Sequence, residues 1–97
     1  ILLIESSEEY MPPEKYRRAL EYFKTAGVFG AVSGVLVGKP MDRKYEAEYK
    51  AALTDVIADD TLPIVCNVNI GHALPRCLLP FGVEATVDVN GQKITFG

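Results

Sequence analysis

The chain has no tryptophan, one histidine and two cysteines among 97 residues, and each shortage removes a class of protein. Two cysteines are too few for a small disulfide scaffold. Cys66 lies within an apolar β-branched run, so Cys66 and Cys77 are expected as reduced thiols. A single histidine without paired cysteine spacing argues against a closed zinc site, and no metal or cofactor is expected. No apolar run approaches the roughly 20 residues of a membrane span, and no basic-then-apolar leader is present. Positive charge is not in excess: 10 Lys and Arg against 13 Asp and Glu leave a net charge of −3. That balance gives no footprint for nucleic acid or for an anionic membrane, so neither is an expected partner. The expectation is a soluble, cytoplasmic protein. The chain does not begin with methionine and opens inside an apolar run, which predicts an excised piece of a longer protein.

What is present is a chain 48% hydrophobic and 24% charged, enough for one domain over residues 1–97 with a modest core. Ile1-Leu2-Leu3-Ile4 is a short apolar run that ends on Glu5-Ser6-Ser7-Glu8-Glu9. After Pro12-Pro13, Tyr16, Ala19, Leu20, Phe23 and Ala26 recur at helical spacing, with charges of both signs between them. This predicts an amphipathic helix with a solvated outer face, closed by Gly27. Gly27, Gly30 and Gly34 then space out a connection to Val35-Leu36-Val37, a buried-strand signal. Neither G-x-G-x-x-G nor G-x-x-x-x-G-K-[ST] occurs, and Ser33 is not within G-x-S-x-G, so a phosphate loop and a nucleophile elbow are both unsupported. Asp42 is a candidate N-cap for a second helix that buries Tyr45, Tyr49, Leu53, Val56 and Ile57. Asp59-Asp60-Thr61 forms a polar return. The alternation of strand and helix predicts an α/β fold: a small, largely parallel sheet with two flanking helices and a C-terminal β-hairpin. The hairpin is read from the alternation at Ala85, Val87, Val89, Ile94 and Phe96, with Asn90-Gly91 expected as a type I′ turn.

The chemistry-bearing stretch is Pro63-Ile64-Val65-Cys66-Asn67-Val68-Asn69-Ile70-Gly71-His72-Ala73-Leu74-Pro75. Its first part reads as a strand buried on both faces, and the lone imidazole, His72, follows a glycine at the strand's carboxyl end. Ligands of open α/β sheets bind at that edge, which makes His72 a candidate general base; the alternative is a histidine that only caps a loop. Glu5 also follows a strand directly. If the two strands are parallel neighbours, Glu5 and His72 share one edge, half of a Ser-His-carboxylate arrangement. Glu8 and Glu9 are candidates for substrate contact, although adjacent acids on a loop are more often simply solvated. Ser6 and Ser7 sit too close behind Glu5 for the spacing to favour either as a nucleophile.

These residues resemble the C-terminal domain of the LD-carboxypeptidase serine peptidases. The resemblance runs through four blocks in order: Ile1 to Glu8, Gly34 to Pro40, Pro63 to Pro75, and Leu79-Pro80-Phe81-Gly82-Val83-Glu84-Ala85. The Asn67-Val68-Asn69 wording before Gly71-His72 most resembles the microcin C immunity branch. The resemblance implies that Glu5 and His72 are the catalytic glutamate and histidine of a Ser-Glu-His triad. It also implies that the serine and the oxyanion donors come from an N-terminal domain that this chain does not contain. It implies hydrolysis of an amide bond at a peptide or aminoacyl-nucleotide terminus: a murein tetrapeptide, or an antibiotic of the microcin C kind. Alone, the chain would be inactive, its partners being its own N-terminal domain, a small peptidyl substrate and, in a homodimer, a second copy. The reading from another class is a non-catalytic α/β domain that binds a ligand or a partner.

Overall fold

A computed structural model describes residues 1–40, 44–71 and 78–97. Three short strands form a parallel sheet in the order β1-β2-β3: β1 (Leu2–Ile4), β2 (Val35–Gly38) and β3 (Ile64–Val68). Helices α1 (Pro13–Thr25) and α3 (Glu46–Ile57) supply the crossovers, and a separate antiparallel pair, β4 (Ala85–Asp88) and β5 (Lys93–Phe96), ends the chain. The expected α/β architecture is therefore the observed one. A short helix, α2 (Val28–Ala31), lies within the connection spaced by Gly27, Gly30 and Gly34, and it buries Phe29.

The core forms where strand and helix periodicities meet. Alternate strand residues Leu2, Ile4, Val35, Val37, Ile64 and Cys66 point towards α1 and α3, which offer Tyr16, Leu20, Tyr49, Leu53 and Val56. The rings of Tyr16 and Tyr49 pack with centroids 4.2 Å apart. Phe23, expected on the buried side of α1, is 38% exposed, because α1 meets α3 through the Tyr16–Leu20 stripe and Phe23 lies beyond its end. Pro13 begins α1, where a missing N–H costs nothing. The Asp42 cap falls outside the described residues; Tyr45 is the N-cap of α3, with Glu46 and Glu48 in the first turn favouring its positive end.

Two strand expectations need correction. β3 is only half-buried, because it is an edge strand with no partner on its outer side among the described residues. The hairpin turn is not type I′. Four residues, 89–92, connect Asp88 to Lys93, and the left-handed conformation falls on Gln92 (φ 52°). The Asp88 carboxylate accepts the Gly91 N–H at 2.9 Å, a local acceptor that favours the longer turn over the two-residue one.

Two stability predictions follow from backbone and burial. Ala58, just past α3, adopts φ 48°, a conformation that costs an L-residue about 1–2 kcal/mol; Ala58→Gly should stabilise the domain by about 0.5–1 kcal/mol in urea denaturation. The Tyr16 hydroxyl is buried without a hydrogen-bond partner among the described residues, and burial raises its pKa well above the ordinary tyrosine value. The unfolded chain therefore loses this proton first, so stability holds below about pH 10 and falls as the pH rises above it. Tyr16→Phe should preserve or raise stability at pH 7 and flatten the alkaline fall.

Candidate functional site

Glu5 and Gly71 mark the candidate site, and they follow strands that are not neighbours. β2 lies between β1 and β3, so the expected adjacency of the two strands is not how the chain brings these residues together. The path begins with a bulge in β3. Leu36 pairs with Val65 but Gly38 pairs with Val68, so β3 holds one residue more than β2 across that interval. Asn67 takes up the extra length in the left-handed region at φ 64°, which asparagine tolerates better than most residues. The Val68 carbonyl then accepts both the Lys39 N–H (3.0 Å) and the Ile70 N–H (2.8 Å), the second closing a tight turn at Asn69.

That turn sends the chain across the end of β2. A Cβ at Gly38 would lie 2.6 Å from the Ile70 carbonyl oxygen, so the crossing requires a residue without a side chain. Ile70 is buried, and Gly71 follows at φ 95°. Gly71 then sits against Glu5: a Cβ built on it would be 2.6 Å from Glu5 Oε2 and 3.1 Å from Glu5 Cβ. The carboxylate at the end of β1 thus rests beside the residue that immediately precedes the lone histidine. His72 itself, with Pro75 and Cys77, lies outside the described residues. Glu5 is exposed, open on one side to whatever approaches this edge of the sheet.

The loop after Glu5 is not solvated as expected. Ser6 and Glu8 are buried, at 9% and 7% exposure, while Glu9 is exposed. Glu8 Oε2 accepts the Lys44 backbone N–H at 3.3 Å. Ser6 hydrogen-bonds the Tyr49 hydroxyl, which donates to the Met11 carbonyl at 2.5 Å. Burial raises the Tyr49 pKa, the Glu8 charge adds to this, and the Ser6 hydrogen bond opposes it. Ser6 therefore faces inward, onto a recess of about 20 Å³ that it shares with Tyr49 and Cys66. Such a space holds about one water molecule and no substrate. Burial also raises the Cys66 thiol pKa, as does Glu46, while Lys50 lowers it; a half-buried thiol held protonated is a poor nucleophile.

Beside this edge, a cleft of about 520 Å³ runs between β3 and the hairpin, lined by Lys39, Asn67 and Asn69 together with Val87, Ile94 and Phe96. Its volume lies in the range of small-molecule sites. Among the described residues no cluster of metal-ligating side chains is present, and no helix is long and apolar enough to cross a membrane.

The family model for the LD-carboxypeptidase C-terminal domain matches residues 1–87. The chain belongs to that family. A Treponema pallidum (strain Nichols) protein named "Putative carboxypeptidase" is 32% identical over 104 residues, covering 98% of this chain. A similarly named Vibrio cholerae serotype O1 protein is 33% identical over 95 residues, covering 95%. The chain spans 28% of the length of each of these relatives. The crystal structure of an MccF-like protein from Streptococcus pneumoniae in complex with AMP matches at TM-score 0.92 and 49% identity, over 99% of this chain and 28% of that one. The MccF-like match agrees with the branch to which the Asn67-to-His72 wording pointed.

In this LD-carboxypeptidase C-terminal domain, the amino-acid sequence did not disclose how three residues shape the edge: Gly38 at the crossing, Asn67 in the bulge and the buried Glu8. Asn67 carried a usable signal, since an asparagine in a β-branched run is a favoured place for a left-handed bulge residue. Glu8 carried none, because its burial depends on the start of α3. Gly71→Ala should destabilise the domain by roughly 1–3 kcal/mol, through φ 95° and the collision with Glu5. Adding Glu5→Ala should recover part of that loss in a double-mutant cycle; strict additivity would show that the two residues do not meet.

Proposed function

We propose that this chain is the C-terminal part of a serine peptidase, in which Glu5 orients His72 and His72 serves a serine supplied by an N-terminal domain. The observation that carries the reading is the Glu5 carboxylate packed beside Gly71, one residue before the lone imidazole, in a chain of the LD-carboxypeptidase family. In such a triad the acid fixes the imidazole tautomer and stabilises the imidazolium. The imidazole takes the serine proton during attack and returns it to the leaving amine. The serine oxygen forms a bond to the scissile carbonyl carbon, the amine leaves with the proton, and water releases the acyl group. Two members of a triad without a nucleophile have nothing to acylate, so the 97-residue chain by itself is inactive.

The substrate in this reading is an amide at an aminoacyl-nucleotide terminus rather than a murein tetrapeptide. Support comes from the 49% identity to an MccF-like protein solved with AMP, and from the cleft beside the edge, whose mixed lining of apolar side chains, two asparagines and a lysine suits a flat, polar-edged ligand. In the full-length protein, His72→Ala should cut kcat/KM for an aminoacyl sulfamoyl- or phosphoramidate-adenosine by roughly three orders of magnitude or more. Near-normal turnover in that variant would remove His72 from the mechanism. Faster hydrolysis of a tetrapeptide ending in D-alanine would reverse the choice of substrate.

A further inference from the structure

Glu5 belongs to a loop with no regular secondary structure of its own, between the end of β1 and a turn closed by the Tyr10 N–H on the Ser7 carbonyl at 3.1 Å. A triad acid must be held to within about half an ångström, which requires the backbone that carries it to be held as well. The loop is fastened at three points, all to the start of α3. Ser6 meets the Tyr49 hydroxyl, Glu8 Oε2 takes the Lys44 N–H, and the Met11 carbonyl takes the Tyr49 O–H. These attachments bracket the turn on both sides. Glu5, one residue before Ser6, lies against Gly71.

We infer that Glu8 and Tyr49 are positioning residues, which clamp the turn after β1 to α3 and so hold the Glu5 carboxylate against Gly71. The inference rests on Glu5 being the acid of the triad and adds the device that places it. Burying a carboxylate is costly unless its acceptors are used. A glutamate 7% exposed on a short surface loop is therefore fixed there by its polar partners, the Lys44 N–H among them. Its place is explained by what it fixes: the anion takes a backbone N–H at Lys44, in the segment leading into α3, and draws the turn inward. Tyr49 does the corresponding work from within the helix. Its hydroxyl receives Ser6 on one side of the turn and donates to Met11 on the other, so one side chain sets the width of the loop.

The test has a structural arm and a kinetic arm. In the 97-residue chain, NMR should show a nuclear Overhauser contact between the Glu5 side chain and the Gly71 α-protons. Glu8→Gln and Tyr49→Phe should each weaken it at least threefold with amide dispersion retained, whereas Phe29→Ala, a core variant on α2 outside the recess that Ser6 and Tyr49 share, should leave it intact. In the full-length protein, the same two variants should lower kcat about tenfold or more with KM within twofold. A contact and a kcat unchanged in both variants would overturn the clamp while leaving the triad reading in place. Full turnover in Glu5→Gln would instead remove Glu5 from the triad, and the catalytic purpose of the clamp with it.

Discussion

The crossing of one strand's continuation over the end of another governs the rest of this domain. β3 leaves the sheet on the far side of β2 from Glu5, and only a backbone passing close over Gly38 brings Gly71 back to that carboxylate. Two positions without side chains make the path possible, and the bulge at Asn67 aims it. The sheet is otherwise ordinary: three short parallel strands, with hydrophobic side chains towards two helices. Its asymmetry lies at the carboxyl edge, where ligand chemistry in open α/β sheets is concentrated.

The packing of the helical face serves the same edge. Tyr49 is part of the core through its ring, stacked on Tyr16 and near Tyr45, and part of the edge through its hydroxyl, which ties down the loop after β1. One residue thus couples the helical side of the domain to the carboxyl edge of its sheet. The exposed Arg17–Asp55 ion pair at 3.1 Å also joins α1 to α3, but a pair so open to solvent contributes little. The apolar stripe and the tyrosine pair hold those helices together.

Much of the fold was legible because its elements are written in periods. Val35-Leu36-Val37 could only be a buried strand, and Tyr49, Leu53, Val56 and Ile57 could only face a core. Glu5 and His72 stood out because each follows a strand, and the blocks around them resemble a known family. Phe23 and the hairpin turn were misjudged for a shared reason. Periodicity marks which face of an element is apolar, but not where its neighbour stops, and Asn90-Gly91 gave no sign that Asp88 would take over the turn. The half-buried state of β3 likewise depends on what stands beside it, which no property of its own residues reveals.

The amino-acid sequence, then, settled the order of strands and helices, their buried faces and the residue types available for chemistry, since all of these follow from local spacing and side-chain character. Tertiary structure alone decided that β2 separates the two strands of interest, that Gly38 lets the chain pass above it, and that Glu8 is buried while Glu9 is not. Each of these depends on contacts between residues tens of positions apart, where the outcome is set by the close approach of backbones and by which polar groups find partners, quantities that a linear pattern does not contain.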